Sequence, residues 1–129
     1  MNLVAQERIG ASTAQTWTIT RLRAQLYEVT FASGVRLDAE DTKKIVQSIQ
    51  HRGGAHTARV LVNISGLSNV CPSVAEVLST KARPTRLAFL GESLVDEVIS
   101  GFTLAELDET INARYFTDRE DALEYLSQH

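Results

Sequence analysis

The sequence has too few cysteines for a disulfide framework and no long apolar run that could span a membrane. Its 129 residues include one cysteine and two prolines. No apolar run approaches the length of about 18 residues that a membrane-spanning helix needs. Cys71 alone cannot form an internal disulfide, and the first residues lack the basic start and apolar stretch of a secretion signal. These absences predict a cytoplasmic protein without covalent cross-links or a membrane span.

The chain also lacks the excess of basic residues that is typical of nucleic-acid-binding proteins. Its 13 lysines and arginines are outnumbered by 16 aspartates and glutamates, so the net charge is −3 and we expect no nucleic acid as a partner. Residues 1–86 carry a net charge of +5 and residues 87–129 carry −8. Two explanations stay open: a polarised surface that steers a partner or a second copy, or carboxylates on solvated helix faces and N-termini.

The chain does have enough apolar sequence for a packed core. Hydrophobic residues make up 43% and charged residues 22%, as in soluble globular proteins. The length fits one domain, residues 1–129, rather than two. Residues 1–15 show no clear period, so we expect them to be loose or to form an edge strand.

Five segments predict β-strands because their apolar residues alternate or cluster. Trp17 opens an alternating stretch, and Tyr27, Val29 and Phe31 then share one face of the next strand. We expect the three aromatic residues among these to pack in the core. The run at 60–64 is rich in β-branched residues, which suits a strand buried on both faces. The predicted strands are 17–22, 26–31, 60–64, 87–90 and 114–116.

Capping residues predict where the intervening helices begin. Asp38, Ser93 and Thr117 each precede an amphipathic stretch and can accept hydrogen bonds from its first N–H groups, and Pro72 suits the first turn of a helix. The first helix is expected to end at HisArgGlyGly (51–54). Alternating strands and helices predict an α/β fold with a mixed, largely parallel sheet.

The segment after Ser93 is expected to form a helix that ends at Gly101, followed by a short helix or loop at 104–111. Its apolar residues repeat at helical spacing, so we expect them to face the core. They are Leu94, Val95, Val98 and Ile99. The last helix is expected to bury Ala122, Leu123 and Leu126.

The stretch Arg59–Val74 reads as a buried strand, a short turn and a helix start. Together with LeuAlaPheLeu at 87–90 and TyrPheThrAspArgGluAspAlaLeuGluTyrLeu at 115–126, it resembles the STAS/SpoIIAA-like superfamily of anti-sigma-factor-antagonist domains. Within it, the chain is most similar to actinobacterial and related STAS/SEC14-like proteins of unknown function. The resemblance covers roughly Trp17–His129. It implies a mixed sheet of about four to five strands with helices packed against it.

In the phosphorylated members of this superfamily, the strand ends in an Asp-x-Ser-Gly turn and an Asp-Ser-Ser-Gly stretch opens the helix. The first serine of that pair takes the phosphate. Here Asn63 stands for the first acid, and Ser65-Gly66 match the turn. Cys71 replaces the second Asp and Pro72 replaces the phosphorylated serine. Because proline has no hydroxyl, the resemblance implies that the usual switch does not operate at that position.

Ser73 matches the second serine of the pair, and Val74 replaces the glycine. Two roles for Ser73 stay open. Its hydroxyl is either modified at the helix N-terminus, where a phosphate would be stabilised, or it satisfies backbone donors at the helix start.

The residues that carry chemistry are few and scattered. His51 and His56 flank a GlyGly pair, and His129 is the last residue. A solvated loop at 51–56 is a simpler interpretation than a weak metal site. Cys71 just before a helix is either a reactive thiol or a small buried residue. We therefore expect no catalytic residue, metal or cofactor.

These patterns predict a non-enzymatic, regulatory domain that acts through contact with a protein partner or with a second copy as a homodimer. The expected contact turn consists of Asn63, Ser65, Gly66, Ser68, Cys71 and Ser73. The alternative, implied by the SEC14-like relatives, is a carrier of a small apolar ligand or lipid, with residues 93–107 as a lid over an apolar pocket. A third hypothesis is an enzyme that uses Cys71.

Overall fold

Eight strands and four helices alternate along the residues that the computed structural model describes, which are 7–12, 14, 16–51, 58–82 and 84–128. The strands are β1 (Glu7–Ala11), β2 (Trp17–Arg23), β3 (Leu26–Phe31), β4 (Arg36–Leu37), β5 (Arg59–Asn63), β6 (Asn69–Val70), β7 (Arg86–Leu90) and β8 (Asn112–Phe116). The helices are α1 (Ala39–Gln50), α2 (Ser73–Val77), α3 (Leu94–Glu106) and α4 (Arg119–Ser127), and a π-helical turn, Leu78–Ala82, continues α2.

Six of the strands form one mixed sheet in the order β1-β2-β3-β5-β7-β8. β1, β2 and β3 pair antiparallel, and only Ala24 and Gln25 separate β2 from β3. β3, β5, β7 and β8 pair parallel, with helices between successive strands. β4 and β6 form a separate short parallel pair. The predicted mixed α/β sheet is confirmed. It has one strand more than expected, because residues 7–11 take the edge-strand alternative, while residues 1–6 lie outside the described part.

The sheet separates two apolar layers, and its central strand β5 contributes to both. Val60 and Val62 face the larger layer, which includes Trp17, Tyr27 and residues of α1 and α2. Leu61 faces the opposite way, toward α4. The core roles predicted for Trp17 and Tyr27 are confirmed, and Phe31 is half-buried against the same layer. The expectation that β5 is covered on both faces is therefore also confirmed.

A charged pair joins the sheet to α4. Glu28 lies on β3 on the face toward α4, and both of its carboxylate oxygens accept hydrogen bonds from Arg119, at 2.6 and 2.7 Å. The Glu28 side chain is 10% exposed and that of Arg119 is 42% exposed. These hydrogen bonds are the main cause that raises the pKa of Arg119 above its ordinary value. A nearly buried carboxylate is thus neutralised by a bidentate partner, the geometry in which an arginine pair is strongest.

The helix starts agree with the predicted caps at two positions and differ at a third. The side chains of Asp38 and Ser93 accept hydrogen bonds from Asp41 N–H and Asp96 N–H, as expected. α4 is capped by Asp118 and not by Thr117, so that prediction is wrong. The Asp118 carboxylate accepts from the N–H groups of two residues, Glu120 and Asp121, at 2.8 and 3.2 Å, which a single hydroxyl does less well. Ala122 and Leu126 of α4 are buried as predicted, whereas Leu123 is half-buried.

α3 departs most from the prediction. It does not end at Gly101 but continues to Glu106, so the expected separate element at 104–111 is wrong. Glycine lowers helix propensity without ending a helix when its backbone stays right-handed, and Gly101 has no positive φ. The predicted burial is wrong for three of the four apolar residues, because α3 turns them to solvent. Leu94, Val95, Val98 and also Phe102 are 79%, 65%, 58% and 74% exposed.

The inward face of α3 is instead largely polar. Asp96, Ser100 and Thr103 are buried, and Ile99 is half-buried. Asp96 Oδ2 accepts from Glu92 N–H at 2.8 Å, and Ser100 Oγ donates to a carbonyl of its own helix at 3.0 Å. These local bonds satisfy buried polar groups without partners from the sheet. Because Asp96 is held on the buried side of α3 by Glu92 N–H, the opposite side of the helix, with Leu94, Val98 and Phe102, faces solvent.

We expect Arg119→Ala to lower the free energy of unfolding by about 2 kcal/mol, because it leaves the buried Glu28 carboxylate without its partner. This loss is smaller than that for a fully buried ion pair, because solvent reaches Arg119. Urea unfolding measures this. The matched control is Arg21→Ala, which removes the exposed Arg21–Glu7 pair at 3.2 Å and should cost less than about 1 kcal/mol. Equal effects of the two variants would contradict a special role for the Glu28 pair.

Candidate functional site

The carboxyl ends of β5 and β7 bring the predicted contact turn next to the start of α3. In open α/β sheets this edge is where ligands and partners bind. Asn63 is the last residue of β5, and its side-chain oxygen accepts a hydrogen bond from Ser65 N–H at 3.1 Å. Ser65 Oγ in turn donates to Glu92 Oε2 at 3.1 Å, just beyond β7. The structure therefore places Asn63, Ser65 and Glu92 in one hydrogen-bonded group.

Gly66 makes the turn at this edge feasible. Its φ of +93° lies in the left-handed region, which side chains disfavour. Gly66 O accepts a hydrogen bond from Gly34 N–H at 2.6 Å, and a Cβ on Gly66 would stand 3.4 Å from Ser33 Cα. The turn is thus tied to the loop after β3, and Gly66 serves geometry rather than chemistry.

The remaining predicted contact residues continue from this turn to the start of α2. Ser68 is exposed and its hydroxyl donates to Val35 O at 3.2 Å. Cys71 is buried, and its N–H donates to Leu37 O at 2.9 Å, so the alternative of a small buried cysteine is confirmed. Ser73 is exposed as the first residue of α2, where Pro72 precedes it without a side-chain capping bond. Five of the six residues are exposed or half-buried and form a path along the surface, whereas Cys71 is buried.

A second group behind this turn was missed as a site by sequence reasoning. Asp96 is buried and accepts from Glu92 N–H, while its own N–H donates to Ser93 Oγ at 3.2 Å. Tyr115 OH on β8 donates to Ser93 O at 3.4 Å. Partial burial foremost, and then the charges of Asp96 and Glu97, raise the pKa of Tyr115 above its ordinary value. The Ser93–Asp96 spacing signalled the cap, but only the fold brings Tyr115 to it.

Gly91 permits this close packing. A Cβ at Gly91 would lie 2.6 Å from both Asp96 Cβ and Tyr115 Oη, and 2.9 Å from Tyr115 Cε1. No side chain fits in that space without moving its neighbours. Gly91 therefore fixes how near the start of α3 and the end of β8 approach the end of β7.

The side chains at this edge are joined to one another and to nearby backbone groups by hydrogen bonds. Within the described residues, no group of three or more His, Cys, Asp or Glu side chains is arranged to hold a metal ion. The buried position of Cys71 separates its thiol from solvent. His51 is exposed at the end of α1, whereas His56, His129 and the GlyGly pair at 53–54 lie outside the described residues.

The apolar interior offers little room for a ligand. A cavity of about 40 Å³ lies between the sheet and the α1 and α2 side, lined by Val29, Ile45 and Val74 among others. Ligand pockets for small molecules are typically several hundred Å³ in volume, roughly 300–1,000 Å³. The lid predicted from residues 93–107 is also wrong as drawn, because four apolar residues of α3 face solvent. They are Leu94, Val95, Val98 and Phe102.

The protein has a SpoIIAA-like fold. It is similar to the crystal structure of an uncharacterized protein from the DUF3478 family with a SpoIIAA-like fold, from Shewanella loihica PV-4; the TM-score is 0.61 at 18% sequence identity, and the match covers 98% of each chain. Residues 20–129 match the family described as a domain of unknown function, DUF7793, and the chain belongs to that family. No curated protein matches the chain.

Among the parts of the chain that the structure describes, no helix combines the length and apolar character needed to cross a bilayer.

We expect Gly91→Ala to lower the free energy of unfolding by about 1–3 kcal/mol, because the added methyl forces the Asp96 and Tyr115 side chains apart. Thermal unfolding measures the change. Gly101→Ala is the matched control: its Cβ meets nothing within 4 Å, and alanine should stabilise the exposed helix by up to about 1 kcal/mol. A fully stable Gly91→Ala protein would refute the close packing described here.

The raised pKa of Tyr115 predicts a loss of stability at alkaline pH. The folded protein holds the phenol proton more tightly than the unfolded chain, so this contribution is fully present below about pH 10 and falls as pH rises through the folded pKa. We expect Tyr115→Phe to flatten this part of the stability profile, measured by urea unfolding from neutral to strongly alkaline pH. Identical slopes for the variant and the unmodified protein would disprove the assignment.

Proposed function

We propose that this protein is a non-enzymatic regulatory domain of the cytoplasm that acts by binding another protein through the path from Asn63 to Ser73, without phosphorylation at the relatives' serine position. The observation that carries the proposal is Pro72. It is exposed at the start of α2, where the phosphorylated relatives have their serine, and it offers no hydroxyl. The position that corresponds to the phosphorylated serine of the superfamily that the chain resembles therefore lacks a hydroxyl to modify.

The neighbouring contacts support a rigid recognition surface. The side chains of Asn63, Ser65 and Ser68 hold the path in shape through hydrogen bonds at 3.1–3.2 Å. Gly66, Ser68, Pro72 and Ser73 are exposed along it. A preorganised surface binds a partner without first losing conformational entropy.

The two other hypotheses have weaker support. A lipid carrier needs an interior volume far above the cavity of about 40 Å³. An enzyme that uses Cys71 needs an accessible thiolate, and Cys71 is buried.

Affinity purification of the tagged protein from its native lysate, with quantitative mass spectrometry, tests the proposal. We expect a specific partner whose recovery falls at least about tenfold with Ser73→Arg, which places a long charged side chain on the path. Glu124→Arg on α4, exposed in the same way, is the control and should retain the partner. A second copy as the partner would appear as a dimer in analytical ultracentrifugation. A monomer without any stable partner would refute the proposal.

Alkylation of Cys71 tests the non-enzymatic part separately. We expect iodoacetamide to label the folded protein much more slowly than the urea-unfolded chain, because the thiol is buried and becomes accessible only by opening of the structure. Mass spectrometry over time measures both rates. Rapid labelling of the folded protein would instead favour a reactive cysteine.

A further inference from the structure

The outward face of α3 carries an apolar stripe that no part of the described structure covers. Leu94, Val98 and Phe102 recur every four residues and so lie along one side of the helix, with Val95 beside them. All four are largely exposed. Single exposed apolar residues are ordinary, but a contiguous set on the order of a few hundred Å² marks an interaction surface. We call these four residues the α3 stripe.

The centre and end of the stripe leave room for another helix. Gly101 is exposed beside Phe102, and a Cβ at Gly101 would meet nothing within 4 Å. Ala105, one helical turn further on, is exposed as well. Small residues next to large apolar ones let a second helix approach to the usual axial distance of about 8–10 Å, so that its side chains fit between those of α3.

Acidic residues flank the stripe. At 100° per residue, Glu97 and Glu106 fall on opposite sides of it, and Glu92 precedes the helix; all three are exposed. The open groove between α2 and α3 adds Glu76 and Asp108 to the same region. Residues 87–113 contain six acidic residues and no lysine or arginine. The surface thus has an apolar centre and a negatively charged rim.

This charge pattern decides between the partners that an apolar face can take. An anionic membrane surface would be repelled by the rim. A second copy that pairs stripe to stripe would bring two negatively charged rims together, which is unfavourable. A helix with an apolar face flanked by lysines and arginines satisfies both parts of the surface, as in other helix-in-groove interactions.

We propose that the α3 stripe is the docking site for a basic amphipathic helix of another protein. The inference rests on the proposed role in protein binding and extends it to a second surface, for which it names the chemistry of the partner. The apolar face of the docked helix covers Leu94, Val98 and Phe102, and its cations lie over Glu97 and Glu106. The stripe supplies contact area, and the rim excludes partners of the wrong charge.

Synthetic peptides test this proposal directly. The probe is a helical peptide of leucine and lysine, about 18 residues long, with leucine at the spacing of one apolar helix face. One control replaces every lysine by glutamate, and a second has the same composition in scrambled order. We expect saturable one-to-one binding of the first peptide in calorimetry, weakening as salt is raised. Binding of the scrambled peptide should be at least about tenfold weaker, and the glutamate peptide should not bind.

Variants of the protein locate the site. We expect the double variant Val98→Ser/Phe102→Ser to weaken binding at least about tenfold, because it removes the centre of the apolar contact. Glu97→Lys/Glu106→Lys should weaken it through the rim. The control Glu120→Lys/Glu124→Lys makes the same charge change at exposed positions of α4 and should leave affinity within about twofold. Circular dichroism and urea unfolding verify that each variant is folded.

Several outcomes would overturn the proposal. They are equal binding of the lysine and scrambled peptides, equal loss with the α4 control, a dimer that Phe102→Ser dissolves, or binding to vesicles of anionic phospholipid. The purification from lysate separates this inference from the proposed function. A partner that depends on Ser73 and not on the stripe overturns only the inference, whereas recovery of no partner by the unmodified protein overturns the proposed function.

Discussion

The burial of β5 on both faces is the constraint on which the rest of this structure depends. A strand whose successive side chains all leave water requires an apolar layer above and below the sheet. Val60 and Val62 pack with residues of α1 and α2 on one side of the sheet, and Leu61 packs against α4 on the other. The parallel neighbours of β5 then need helical crossovers, which carry the chain back over these layers. The carboxyl ends of the strands consequently meet at one edge, beside the start of α3.

Much of this arrangement was predictable because its signals are local. The β-branched run of β5, the caps at Asp38 and Ser93, and the alternation around Trp17 each determine their own structure within a few residues. The residues of the turn after β5 were also predictable, since glycine and Asx chemistry act over two or three residues. The role of Asp118 was missed because Thr117 and Asp118 are adjacent and both can cap.

The orientation of α3 was not predictable in the same way. Helical periodicity identifies an apolar face but not the direction in which the fold turns it. The usual assumption that an apolar face is buried fails here, because Asp96 is held by Glu92 N–H and Gly91 admits it against Tyr115. The approach of Tyr115 to Gly91 joins residues from different elements. The group formed by Ser93, Asp96 and Tyr115 was missed as a site for the same reason.

The hydrogen bonds of Glu92 have a mechanical consequence. Its backbone N–H is held by Asp96 on α3, and its side chain is held by Ser65 in the turn after β5. One residue therefore bridges the helix that carries the exposed stripe and the loop that leads to α2. A displacement of the start of α3 would therefore be transmitted to the Ser65 turn through the backbone and the side chain of Glu92. If each of the two proposed surfaces binds a partner, this connection would couple the two affinities reciprocally.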